Sequence, residues 1–118
     1  MALSKVKLSG STNGRGIKVA AIATAGTSIH STPSSAAITD EIWLYAFNSD
    51  AAAIVLSVEW GGTTDPDDLI KLSIPPQEPT LVVPGLVLSG TGSVASNVAA
   101  FAGTANKIII TGFVNRIS

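Results

Sequence analysis

His30 is the only histidine in the sequence, and it is the first candidate for acid–base or metal chemistry. The chain has no cysteine, so neither a second imidazole nor a thiolate can share a metal ion with it. Ser28 and Ser31 lie close to it along the chain, but proximity in sequence does not make a catalytic triad. The sequence predicts a hydrogen-bonded structural histidine, and it indicates no catalytic residue, no metal ligand and no cofactor site.

Asp65, Asp67 and Asp68 form an oxygen-rich segment that could bind a cation. Their spacing lacks the glycine and the distal glutamate of an EF-hand loop. An exposed polar turn is the preferred interpretation, and cation binding stays open as the alternative. The glycine-rich segment 10–16 is not a phosphate loop, because no Gly-Lys-Ser/Thr motif follows it.

Three of the six aromatic residues, Trp43, Tyr45 and Phe47, follow one another at every second position. This is the spacing of side chains on one face of a β-strand. The intervening Ile42 and Leu44 are also apolar, so both faces of the strand need cover. We expect Ile42 and Leu44 in the core, and the aromatic face in a contact within a homo-oligomer. Sugar stacking is the alternative use of such a face.

The charges are few and unevenly distributed. Charged residues make up 13% of the 118 residues and the net charge is −1. The segment before residue 40 carries only four cations, whereas all eight acids and a single lysine lie between residues 40 and 78. Nucleic-acid binding requires a basic face with stacking aromatics, and here the aromatics lie in the acidic half. The four cations are Lys5, Lys7, Arg15 and Lys18.

Short alternating segments separated by turn residues predict an all-β protein. The segments 41–48 and 51–60 are expected to form a hairpin across Asn48-Ser49-Asp50, and Pro84-Gly85 is expected to be a turn. Eight to ten such segments are typical of an antiparallel β-sandwich or jelly roll of about eight strands. We assign it to residues 17–118 as one domain.

Residues 1–16 are predicted to be an extended arm that acts outside the sandwich. Their apolar residues are too few for a core, and the Gly- and Ser-rich segment 9–16 reads as a flexible loop. The arm lysines could meet the acidic region of a neighbouring subunit, so Lys5, Lys7 and Arg15 are candidate interface residues with the aromatic stripe. The sequence has no apolar run of membrane-spanning length and begins without a signal peptide, which indicates synthesis in a cytoplasm.

Turn and core motifs occur from about residue 14 to the end of the chain. They are residues 14–17, 29–30, 43–48, 58–62, 74–76, 83–88 and 112–117. Through these motifs the chain resembles small virion structural proteins of tailed bacteriophages. The resemblance implies a decoration or cement protein on the outer capsid surface, with the major capsid protein as partner and a homo-oligomer, preferably a trimer, as its state. Because the motifs are turn and core residues, they carry fold more specifically than function.

The function expected from the sequence is that of a non-enzymatic virion protein that stabilises the capsid shell. It would be made in the host cytoplasm and located on the virion, without nucleic-acid or membrane partners. A carbohydrate-binding or adhesin module of a phage tail or neck is the alternative. The two differ in whether the aromatic stripe faces protein or open solvent.

Overall fold

A computed structural model describes residues 2–118; Met1, the first residue of the expected arm, lies outside this range. Nine β-strands and no helix occur within it, so this part of the chain has no helix that could cross a membrane. The strands are β1 (Leu3–Val6), β2 (Ile17–Lys18), β3 (Thr27–Ser31), β4 (Thr39–Asn48), β5 (Ile54–Trp60), β6 (Leu69–Ile74), β7 (Pro79–Ser89), β8 (Asn97–Ala102) and β9 (Ile108–Ile117).

The strands form two antiparallel sheets. Sheet A has the order β1-β9-β4-β7, and the short β2 also pairs with β9. Sheet B has the order β3-β8-β5-β6. The prediction of an all-β antiparallel sandwich is confirmed.

The core lies between the two sheets and is supplied by every second residue of the long strands. On β4, Ile42 and Leu44 are fully buried, as predicted, and on β5, Leu56 and Val58 are fully buried as well. Complete burial of such a side chain contributes about 1.5–3 kcal/mol. Side chains alternate between the two faces of β4 and β5, and on both strands the fully buried aliphatic residues occupy the inward face.

The expected hairpin between β4 and β5 is wrong. β4 pairs with β7 and β9 in sheet A, whereas β5 pairs with β6 and β8 in sheet B. Asn48 is fully buried at the crossing, where its side-chain amide donates to the carbonyl oxygens of Ala52 (2.9 Å) and Ile74 (3.0 Å). These hydrogen bonds stabilise the connection that takes the chain from sheet A to sheet B. The inward faces of β4 and β5 therefore meet across the core.

Pro84-Gly85 does not turn the chain, which is a second correction. β7 runs without interruption from Pro79 to Ser89 beside β4, and its register shifts where Ile42 is followed by Trp43. Gly85 has a φ of +75° at this point, a conformation that glycine adopts readily and other residues do not. The pair therefore forms an irregularity of the β-bulge kind inside one strand.

Residues 3–10 belong to the sandwich, so the prediction of an arm acting outside it is wrong. β1 pairs with β9 along all four of its residues. Leu8 is only 3% exposed and lies in the core, and the backbone N–H of Gly10 donates to the carbonyl oxygen of Ile29 (2.9 Å). A few apolar residues cannot form a core alone, but here they complete one made by the rest of the chain. The sandwich begins at Leu3 instead of residue 17.

Substitution of Leu8 by alanine is accordingly expected to lower the free energy of unfolding by about 2–5 kcal/mol, because it removes a buried side chain from a packed core. Leu3→Ala is the matched control in the same segment, since Leu3 is 68% exposed and its loss should cost about 0.5 kcal/mol or less. Urea denaturation of both variants measures the difference. If the two variants lower the free energy of unfolding equally, Leu8 does not contribute to the core and residues 3–10 are a loosely attached arm.

Candidate protein-binding face

The outer face of sheet A carries the aromatic stripe. Along β4 the inward residues are buried, whereas Trp43 is partly exposed and Tyr45 and Phe47 are 37% and 36% exposed. Antiparallel pairing places residues of β9 and β7 on either side of the stripe. The flanking residues on this face are Asn115, Phe113, Thr111 and Ile109 of β9, and Val87, Pro84, Leu81 and Pro79 of β7.

Trp43 is held in place by its own chain. Its ring stacks on that of Phe113 with 6.1 Å between centroids and 12° between planes. Its Nε1 donates to Oε1 of Glu41 at 2.8 Å. The indole also lies over Gly85, where an added Cβ would come within 2.8 Å of Trp43 Cζ2. Trp43 is therefore a rigid centre for the outer face and not a freely movable ring.

Polar groups lie at the end of this face where Glu41 is located, which we call the upper end. Glu41 accepts a second hydrogen bond from Nδ2 of Asn115 at 3.0 Å. The bonds from Trp43 and Asn115 lower the pKa of Glu41, against a smaller opposing effect of burial, so its carboxylate is ionised at neutral pH. Lys5 Nζ lies 4.9 Å from the centroid of the Phe113 ring, within cation–π range.

Below these polar groups the face is apolar and open. Leu81 is 45% exposed here, in addition to the partly exposed rings of Tyr45 and Phe47, whereas Val87, 59% exposed, lies level with Glu41. Contiguous exposed apolar surface of this kind marks sites of association. Aromatic side chains are also enriched in the centres of protein interfaces.

The three candidate cations come to lie on or beside this face. Lys5 contacts it through Phe113, whereas Lys7 and Arg15 lie in the connection between β1 and β2, at the edge of sheet A. This connection has a defined conformation: the backbone N–H of Arg15 donates to the carbonyl oxygen of Thr12 at 3.0 Å. The sequence grouped these cations with the stripe, but it assigned them to a mobile arm and not to a sheet edge.

His30 lies away from this face, in a buried cluster that joins the two sheets. Both His30 and Asp40 are 0% exposed, and His30 Nε2 lies 2.8 Å from Asp40 Oδ2. Nδ1 of His30 accepts the backbone N–H of Ser9 at 3.1 Å, which leaves Nε2 as the donor to Asp40. The predicted hydrogen-bonded structural histidine is thus confirmed, with both ring nitrogens occupied by the chain itself.

Arg116 completes the cluster from β9. Its Nε donates to Asp40 Oδ1 at 2.8 Å and its second guanidinium nitrogen donates to Oδ2 at 3.1 Å. Burial, the largest single influence, raises the pKa of Asp40, but the bonds and charge of Arg116 and the bond of His30 together outweigh it. The net result is a lowered pKa and an ionised Asp40 that ties β3, β4 and β9 together.

Two further acidic groups have structural partners that the sequence did not reveal. Glu59 is 2% exposed and accepts bonds from Thr24 Oγ1 (2.7 Å) and the Gly26 backbone N–H (2.8 Å), which anchors the loop before β3. Asp65 forms an ion pair with Lys71 at 3.1 Å. Alternation along a strand gives no information on such pairs, because the partners of Glu59 are 35 and 33 positions away and Asp65 lies in the loop before the strand that carries Lys71.

No protein-family model matches this sequence, and comparisons with curated proteins and with solved structures find no match. The fold and the candidate site together define an antiparallel β-sandwich with a partly exposed aromatic face on sheet A.

Proposed function

We propose that this protein is a non-enzymatic virion structural protein, a decoration or cement protein that binds the outer surface of a phage capsid and stabilises the shell. The resemblance of its turn and core motifs to those of small virion proteins of tailed phages supports this setting. The observation that carries the proposal is the outer face of sheet A, where Tyr45, Phe47, Leu81 and Val87 are all more than a third exposed. Exposed apolar surface of this kind favours protein binding over substrate turnover as the role of this face.

The occupant we assign to this face is a second copy of the chain, with the assembled homo-oligomer binding the major capsid protein. The rigid stack of Trp43 on Phe113 supports a protein contact, since a pre-ordered aromatic centre loses little side-chain entropy on association. Truncating such central aromatic residues typically costs about 2 kcal/mol or more of binding free energy.

The non-enzymatic part of the proposal is supported by the state of His30. The residue is inaccessible to solvent, and its nitrogens already bond Ser9 and Asp40. A general base must reach the proton that it removes. The strand order supports the finer assignment of a jelly roll: apart from the two-residue β2, each sheet contains four strands, and most connections cross between the sheets.

The test is a paired measurement of assembly and capsid binding. The double variant Tyr45→Ser/Phe47→Ser is expected to associate about 100-fold more weakly than the natural chain, because it removes two aromatic contacts from the interface. Light scattering measures the oligomer, and co-sedimentation with capsids that lack the protein measures decoration. Val55→Ser is the matched control, because Val55 is 53% exposed on β5 of the opposite sheet and should leave both readouts unchanged.

Two results would contradict the proposal. A natural chain that remains monomeric and fails to bind capsids has no such role. If that monomer instead binds defined glycans on an array, and Tyr45→Ser abolishes the binding, the face is a carbohydrate site and the protein is an adhesin-type module.

A further inference from the structure

One edge of the sandwich is basic. Four cations lie on β1, on β2 and in the segment between them, at the edge of sheet A where β1 and β2 both pair with β9. All four are exposed, and none makes an ion pair with another residue of the described chain. We call this set the basic edge: Lys5, Lys7, Arg15 and Lys18.

The opposite edge, formed by β7 and β6, is acidic. Glu78 immediately precedes β7, and Asp65, Asp67 and Asp68 lie in the loop between β5 and β6. Lys71 is the only cation there, so the four acids carry a net charge of −3 with it. We call the four acids the acidic edge. It belongs to the same chain as the basic edge but lies on the other side of sheet A.

The upper charges of the two edges lie at the same height along the strands. Register across sheet A runs from Lys5 of β1 through β9 and β4 to Val87 of β7. The next residue, Leu88, lies against Gly61, where an added Cβ would be 3.4 Å from Leu88 Cδ1. Gly61 opens the loop that carries Asp65 and Asp67. The upper part of the basic edge is therefore level with the first residue of this acidic loop, in which Asp65 pairs with Lys71.

The lower charges match in the same way. Lys18 of β2 pairs with Ile109 of β9, which pairs with Phe47 of β4, which pairs with Pro79 of β7. Glu78 is the residue before Pro79. Lys18 begins this row at one edge of the sheet, and Glu78 lies one residue along the strand from Pro79, which ends the row at the opposite edge.

We infer that copies of this chain associate head to tail, the basic edge of one against the acidic edge of the next, in a closed ring with the outer face of sheet A turned toward the axis. Rotation about an axis parallel to the strands preserves height, so cations and acids at equal heights on opposite edges meet in such a ring. A heterologous contact of this kind closes when the rotation closes. The inference rests on the homo-oligomer proposed above, and it adds the contact that orders the copies.

The charges determine orientation and the apolar face supplies most of the association. Exposed ion pairs are individually weak and are screened by salt. Because each edge carries several charges of one sign, repulsion between like charges nevertheless disfavours arrangements in which two basic edges or two acidic edges meet. The ring should therefore loosen as salt is raised, without the chain unfolding.

The experiment uses two complementary full-length variants. The first, Lys7→Gln/Arg15→Gln/Lys18→Gln, removes three of the four cations of the basic edge and keeps Lys5, which contacts Phe113. The second, Asp65→Asn/Asp67→Asn/Glu78→Gln, leaves Asp68 and Lys71, whose charges cancel. Each variant alone is expected to associate about 10- to 100-fold more weakly than the natural chain. An equimolar mixture is expected to form a 1:1 pair and nothing larger, since each partner retains one intact edge.

Sedimentation velocity at low salt measures these masses against the 11.9 kDa of one chain, and circular dichroism checks that both variants are folded. The head-to-tail arrangement is overturned if either folded variant keeps the ring of the natural chain, or if the mixture associates no better than its components. A natural chain that forms the ring but fails to decorate capsids would overturn the proposed function alone.

Discussion

Replacement of Gly112 by alanine is expected to lower the free energy of unfolding by about 3 kcal/mol or more, the upper range for an overpacked interior. Gly112 lies on β9 opposite Leu44 of β4, where the two central strands of sheet A approach each other. An added Cβ would collide with the carbonyl oxygen of Trp43 and lie 3.2 Å from the Leu44 Cα. Both obstacles are backbone, so the methyl group is accommodated only if the strands separate.

Gly103→Ala provides the control for this change, since no atom lies within 4 Å of the Cβ position at Gly103. Its effect should be within about 0.5 kcal/mol. Urea denaturation followed by circular dichroism measures both variants. The fluorescence of Trp43 should also change in Gly112→Ala, because the collision displaces that residue's backbone. A Gly112→Ala protein as stable as the Gly103→Ala protein would show that β4 and β9 are not in this register.

Asp40→Asn is expected to destabilise the fold by about 3 kcal/mol, at the lower end of the range for breaking a buried ion pair, because Arg116 is partly exposed and can be hydrated. The amide cannot accept from both Arg116 and His30 as the carboxylate does, and the buried His30 has no water to replace the lost bond. Glu41→Gln is the neighbouring control: its carboxylate lies on the outer face, so its loss should have a much smaller effect.

The pH dependence of the free energy of unfolding distinguishes the contribution of the Asp40 charge from the contribution of its packing. Because its pKa is lowered in the folded protein, the unfolded chain takes up the proton first as pH falls. The stabilisation is therefore complete above the ordinary aspartate pKa of about 3.9 and is lost as pH falls through the lower folded value. Denaturation curves of the natural chain and Asp40→Asn should converge in acid. A constant gap between them at all pH values would assign the effect to packing.

The faces of the strands could be predicted from the sequence, because inward and outward residues alternate with a fixed period. Ile42 and Leu44 are predicted to lie in the core and are fully buried there, and on β6 the alternate residues Lys71 and Ser73 are exposed. The same period gives no information on which strand lies alongside. The patterns of β4 and β5 would be the same if the strands were neighbours in one sheet or lay opposite each other across the core. The hydrogen bonds of Asn48 to Ala52 and Ile74 stabilise the second arrangement.

The candidate site was only partly predictable for a related reason. Trp43, Tyr45 and Phe47 lie on one strand, so their common face follows from local spacing. Lys5 and Phe113 are more than 100 positions apart, and their contact exists only because β1 pairs with β9. The sequence contains the residues of such long-range contacts but no periodic signal for the pairing.

The position of β9 in sheet A also has a consequence for the order in which the protein can form. β9 lies between β1 and β4 and also pairs with β2, yet it is the most C-terminal of the described strands. On the ribosome, Leu3 and Ile42 are therefore synthesised long before their partners around Ile117 and Val114 emerge. Until then β4 has only β7 as a neighbour in sheet A, and its other edge has no partner strand. This edge of β4 therefore stays unpaired for most of the synthesis of the chain, and the sandwich closes only after translation of residue 117.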